Sequence, residues 1–203
     1  MPDPALRHLA KSDPVMRRLI RLHRPYVFEP DARVSPFQSL VRAVAHQQLN
    51  GTAANTILKR FVALFPGRRF PRPEDLDAVD DARIRAAGFS RAKVASLRDL
   101  AAKTREGIVP TPKKIAKLSD EEIVERLTEV RGVGRWTVEM LLIFKLGRPD
   151  VLPADDFGVR SGFRNAYKLK DLPAKKALLA HGERWRPYRT AASWYLWRAA
   201  DKE

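Results

Sequence analysis

The sequence predicts an all-α fold of two helical lobes flanking a cleft. Three observations carry that prediction. Apolar residues recur at helical rather than alternating spacing, and helix start and stop signals punctuate the chain at short intervals. No hairpin turn lies between alternating segments, because Asn50-Gly51 sits between two helical patterns.

Ser35-Pro36-Phe37-Gln38 reads as a capping box with proline at the first helical position. It opens SPFQSLVRAVAHQQ, where Phe37, Leu40, Val41 and Val44 share a face. TAANTILKRFVALF follows Gly51 and stops at Pro66-Gly67. DLDAVDDARIRAAG gives one or two short helices ended by Gly88, and SRAKVASLRDLAAKTREG gives another ended by Gly107. A second capping box, Ser119 to Glu122, starts DEEIVERLTEV. Thr137 to Leu146 continues helical with Gly147 as its C-cap, and Asp156 opens a further helix. PAKKALLAHGERW and PYRTAASWYLWRAAD finish the chain, and the proline-rich patches at 66–73 and 109–112 read as tight connections. No repeat or low-complexity linker interrupts the pattern. The expectation is a single domain over 1–203, with approximately 37–155 as one lobe and 1–36 plus 156–203 as the second. No helix is assigned before Ser35.

Apolar residues make up 44% of the chain and charged residues 31%, the composition of a folded globular protein. No apolar run reaches the roughly 18–20 residues a membrane span needs. MPDPALRHLAKSDP lacks the apolar core and cleavage site of a signal peptide, so a cytoplasmic location is expected, at the nucleoid in a bacterium. The absence of cysteine excludes disulfides, thiol catalysis, cysteine-ligated zinc and iron–sulfur clusters. His8, His23, His46 and His181 show no metal-site spacing. The 39 Lys+Arg against 24 Asp+Glu give a net charge of +15, which favours a nucleic-acid partner over a merely basic protein.

The stretch from Arg131 to Thr137, RGVGRWT, follows a helical pattern carrying Ile123, Val124, Leu127 and Val130. Gly132 and Gly134 allow a sharp turn and leave amides bare of side chains, while Val133 can plug into the core. Bare amides at a helix start form an anion site, and on so basic a chain a backbone phosphate is the obvious anion. A helical hairpin with no ligand has the same spacing, and spacing alone does not choose between them. A dinucleotide-binding loop is disfavoured, because the third glycine of GxGxxG would fall on Thr137 and no strand precedes.

Leu127 to Val138, with Gly132, Gly134 and Trp136, resembles the helix–hairpin–helix of the DNA glycosylase superfamily in which a Gly/Pro-rich loop and an aspartate follow (HhH-GPD). Gly147-Arg-Pro149-Asp-Val-Leu-Pro153-Ala-Asp155-Asp156 is similar to the second half of that signature. Phe37 to Leu49 resembles the helix and turn before the lesion pocket. Glu183 to Trp197 is similar to the branch that removes alkylated bases, the 3-methyladenine DNA glycosylase II (AlkA-like) branch. With about 35 residues before the first block, the N-terminal sheet domain of some members is expected to be missing.

The resemblance implies a DNA-binding cleft and a monofunctional glycosylase that excises alkylated purines of the 3-methyladenine and 7-methylguanine type from double-stranded DNA by base flipping. It assigns catalysis to Asp156, whose carboxylate would stabilise an oxocarbenium-like sugar or position a water. Without the resemblance, Asp156 reads as an ordinary helix N-cap. Trp136 stands where strand-cutting relatives carry a Schiff-base lysine, so no lyase activity is expected. The implied base pocket holds Trp136, Trp197, Gln47, Phe157 and Tyr188, with Trp194 a weaker candidate; aromatic faces suit a cationic base, although an i,i+3 aromatic pair such as Trp194 and Trp197 also fits a core. Gln48 or Leu49 is the implied wedge in the minor groove. Gly132, Gly134, Arg135 and Thr137 are implied DNA contacts, and Arg131, Arg160 and Arg164 could join a phosphate track. The hairpin carbonyls could hold a monovalent cation, as relatives do; otherwise no cofactor or metal is expected, and the partner is damaged duplex DNA bound by a monomer with no membrane. The alternatives are a non-catalytic helix–hairpin–helix DNA-binding module and a glycosylase for deaminated or oxidised bases.

Overall fold

The computed structural model describes residues 3–23, 25–31 and 34–200, and among these there is no strand. Twelve α-helices follow in order: α1 (Pro4–Ser12), α2 (Pro14–Leu22), α3 (Pro36–His46), α4 (Gly51–Ala63), α5 (Asp81–Ala86), α6 (Arg91–Arg105), α7 (Pro112–Ile115), α8 (Asp120–Thr128), α9 (Arg135–Phe144), α10 (Phe157–Tyr167), α11 (Lys175–Gly182) and α12 (Arg189–Ala200). They form two compact units, Met1–Pro30 with Leu142–Glu203, and Asp31–Leu141.

In the first unit, Asp3-Pro4 and Asp13-Pro14 start helices that the sequence reading left unassigned. Each aspartate accepts from the amide of N2, and each proline takes the N1 position where its missing N–H costs nothing. Met16, Leu19 and Ile20 of α2 are buried with Leu9 of α1 in a core completed by Val159, Phe163, Trp185, Tyr195 and Leu196. Burying each such large apolar side chain contributes about 1.5–3 kcal/mol. Helices α10 and α12 meet at Gly162, where an added Cβ would lie 1.7 Å from the Leu196 carbonyl oxygen.

The second unit buries Leu40 and Val44 of α3, Leu58 and Phe61 of α4, Leu97 and Leu100 of α6, and Ile123 and Leu127 of α8. The apolar face read for α3 is therefore its buried face. The reciprocal capping box forms at Ser119 and Glu122; at Ser35 the structure shows the hydroxyl accepting from the Gln38 amide.

The boundary expected near residue 155 lies instead within α9, at 141–142. The segment after α9 is sewn into the first unit. Val151 N–H donates to Thr190 Oγ1 (3.0 Å), Thr190 Oγ1 donates to the Arg148 carbonyl (2.6 Å), and Leu152 and Ala154 join that unit's core.

Candidate active site and nucleic-acid interface

The loop over 147–155 ends on Asp156. Its course is fixed by Arg189, whose guanidinium grips Asp150 through Nε to Oδ1 (2.7 Å) and Nη2 to Oδ2 (3.1 Å). Asp156 caps α10: Oδ1 accepts from the Val159 amide at 2.8 Å and from the indole Nε1–H of Trp197 at 2.8 Å. Gly158 makes this approach possible. A Cβ there would sit 2.8 Å from Trp197 Cδ1 and 3.1 Å from Asp156 Oδ1. The carboxylate is thus oriented by a helix N-terminus and by an aromatic edge from a second helix, with partial positive charge on both.

Around it stands an aromatic set. Trp197 stacks on Phe144 with ring centroids 5.5 Å apart, and Phe144 meets Phe28 at 5.8 Å. These rings, with Gly158 and Trp194, line a hollow of about 530 Å³. Phe157, directly after the aspartate, is 70% exposed. An anion beside stacked aromatic faces is a chemical match for a flat cation. Asp155 turns elsewhere and pairs with Lys175.

The second unit carries two turns. At the hairpin, Gly132 has φ +77°, and an added Cβ would meet Ser96 Oγ at 2.6 Å, so the residue is held to glycine by both conformation and space. Gly134 has open space where a side chain would go, which leaves the start of α9 approachable by a backbone phosphate. The other turn joins α3 to α4. Gln48 adopts a left-handed conformation (φ +58°), Leu49 is exposed, and Asn50 caps α4 through its side chain. Trp136, Gln47, Gln48, Lys93 and Met140 line a hollow of about 590 Å³ beside both turns. Lys93 donates to the carbonyls of Ala45 (3.0 Å) and Gln47 (2.7 Å), and burial lowers its pKa from the ordinary lysine value.

Residues 41–187 match the HhH-GPD superfamily of base excision DNA repair proteins. The chain belongs to this superfamily. It is 44% identical over 196 residues to DNA-3-methyladenine glycosylase 1 of Schizosaccharomyces pombe, covering 95% of this chain and 85% of that protein. Its fold superposes with a TM-score of 0.84 on an S. pombe 3-methyladenine DNA glycosylase in complex with abasic DNA, 43% identical, covering 97% of this chain and 96% of that one. A DNA-3-methyladenine glycosidase from Bacillus halodurans gives a TM-score of 0.86 at 32% identity, covering 99% and 91%.

Within this HhH-GPD chain, the structure sorts the residues singled out from sequence. Asp156, Trp197 and Phe157 come together in the first unit, and Trp136, Gln47 and Gln48 come together in the second. Several expectations need correction. Trp197 presents its N–H edge to Asp156 and a ring face to Phe144, so it orients the carboxylate as well as lining the hollow. Gln47 spends its side-chain amide on the Gly132 carbonyl (2.8 Å). Tyr188 stands against His8 and the core of the first unit, outside the set around Asp156. Thr137 is only 7% exposed and lines the hollow beside the hairpin. Arg135 pairs with Glu121, Arg160 donates to the Pro173 carbonyl (3.1 Å), and Arg164 donates to Asn165. In the hairpin, the carbonyls of Glu129, Val130 and Gly132 accept from Lys103, the Val133 amide and Gln47, and each carbonyl oxygen keeps a second lone pair.

Sequence reasoning missed Phe144, Phe28, Gly158 and Lys93. A signal existed for Lys93 alone: a lysine in the first turn of α6 opposes the helix dipole, which suggests that it serves something else. Among the described residues no helix is long and apolar enough to cross a membrane, and no group of three or more acidic or histidine side chains could hold a metal.

Proposed function

We propose that this protein is a monofunctional DNA glycosylase that releases alkylated purines, of the 3-methyladenine and 7-methylguanine type, from double-stranded DNA, acting as a monomer and leaving an intact abasic site. The two units act in this reading as one catalytic domain. The observation that carries it is the Asp156 carboxylate, held by the Val159 amide and the Trp197 indole beside an aromatic hollow, in a chain whose relatives are named as 3-methyladenine glycosylases.

The chemistry follows from charge. Alkylation makes the purine cationic, so it leaves as a neutral base and takes the electron pair of the C1′–N bond. Positive charge then develops on the sugar, and a fixed carboxylate stabilises it without reorganising. A water oxygen bonds to C1′ and loses a proton to solvent. The base reaches the carboxylate only after leaving the duplex stack, and the stacked rings offer faces for an electron-poor ring. At the hairpin, Trp136 supplies no amine, and the Lys93 ammonium beside it is tied to two carbonyls. No Schiff base is expected.

The test is incubation with duplexes carrying 7-methylguanine, 3-methyladenine, hypoxanthine, uracil or 8-oxoguanine. Release of the methylated bases with an uncut strand, and no covalent adduct after borohydride, supports the reading. Release of only the deaminated or oxidised bases, or of none, overturns it.

A further inference from the structure

The hairpin and the α3–α4 turn do not stand independently. Both rest on one polar stripe of α6, residues 93, 96, 99 and 103, which recur at helical spacing. Lys93 Nζ binds the Ala45 and Gln47 carbonyls at the C-terminal end of α3, replacing backbone donors that the turn cannot supply. Ser96 Oγ occupies the space that a side chain on Gly132 would need. Asp99 Oδ2 accepts from the Arg131 amide at 2.7 Å, and Lys103 binds the Glu129 carbonyl. Gln47 closes the frame by donating from the α3–α4 turn to Gly132 in the hairpin (2.8 Å). Gln48, the next residue, is held in the left-handed region that non-glycine residues seldom adopt (φ +58°). Leu49 is thereby left exposed at the tip.

We propose that α6 is a rail fixing the spacing between these two turns, and that Lys93 is a positioning residue for base extrusion. This rests on the glycosylase reading above. A wedge unstacks a base pair only if it cannot recoil, and the hairpin that grips the backbone supplies the reaction to that push. Lys93 ties the wedge turn to α6, Asp99 ties the hairpin to the same helix, and Gln47 ties the turns to each other. Lys93 touches neither base nor sugar in this scheme. Its loss should slow extrusion and leave bond cleavage alone.

The discriminating variant is Lys93→Met, which keeps the length of the side chain and removes its donors. Single-turnover release of 7-methylguanine is measured on two duplexes, one with the lesion paired to cytosine and one with the lesion in a mismatch, where extrusion costs least. The rail predicts a loss of about tenfold on the paired duplex, the scale of a charge-assisted hydrogen bond, and less than about threefold on the mismatch. Lys93→Arg, which keeps donors, should recover most of the paired rate. Because the two rates are compared within one preparation, a fraction of misfolded protein cancels. An equal loss on both duplexes, or no loss on either, overturns the proposal. A second readout is free of glycosidic chemistry: 2-aminopurine beside the lesion should brighten less with Lys93→Met than with wild type, and equal brightening counts against the rail. If wild-type protein releases no methylated base yet brightens the probe, the glycosylase reading fails and the rail survives.

Discussion

Asp13 and Asp156 perform the same local task with different consequences. Each precedes a helix, caps it through Oδ1, and receives a tryptophan indole N–H, from Trp185 at 3.0 Å and Trp197 at 2.8 Å respectively. Asp13 is 1% exposed, and its Oδ2 also takes Tyr167 and His181, so every side chain in the cluster is committed to holding α2, α10 and α11 together. Asp156 is half-buried; its partner Trp197 lines a hollow, and the next residue, Phe157, is exposed. An N-cap aspartate with an indole partner is therefore not in itself a catalytic signature. What separates the two is exposure: the first is shut inside the protein, and the second is partly open to solvent.

That contrast can be broken from either end. The largest expected effect on stability belongs to Asp13→Ala, which strands the buried indole N–H of Trp185 and removes the shared acceptor of Tyr167 and His181, and should cost about 3–5 kcal/mol. Urea unfolding measures it, and excision per folded molecule should be unchanged.

The same aspartate sets an acid limit. Burial opposes its charge, but the hydrogen bonds from His181, Tyr167, Trp185 and the Met16 amide outweigh burial and hold its pKa well below the usual carboxylate range. A depressed folded value means the contribution is fully present above an unfolded pKa near ~4 and is lost as pH falls below it. Urea midpoints should fall from pH 5 to pH 3 in wild type and fall less in Asp13→Ala. Parallel curves would remove this node from the acid limb.

The smallest effect separates the two tryptophans. Trp197→Phe keeps the ring and removes the N–H to Asp156, so single-turnover excision should fall about tenfold with little change in melting temperature. Trp185→Phe should do the reverse, lowering stability by about 1–3 kcal/mol with excision intact.

These pairs also show what was legible in the sequence. Helices α3, α4, α6 and α8 announce themselves through caps and spacing, and the hairpin and the Gly/Pro loop lie in continuous stretches. Helices α1 and α2 were missed although Asp3-Pro4 and Asp13-Pro14 carry a start signal, because nothing local says where so short an amphipathic segment packs. The Asp13 node joins residues more than 150 positions apart, which no spacing rule reaches. Trp197 read as a stacking face because a sequence shows the ring type but not which edge it turns. Lys93 joins α6 to the end of α3 across 46 to 48 residues, and only its misfit with the dipole of α6 betrays it.

Asp156→Asn tests the central claim most directly. Asparagine caps a helix as well as aspartate does, so fold and DNA affinity should persist. Single-turnover release of 7-methylguanine from a saturated complex should fall by roughly a thousandfold or more. Release at a rate within a few-fold of wild type would contradict the assignment and make Asp156, like Asp13, a residue that only holds the fold.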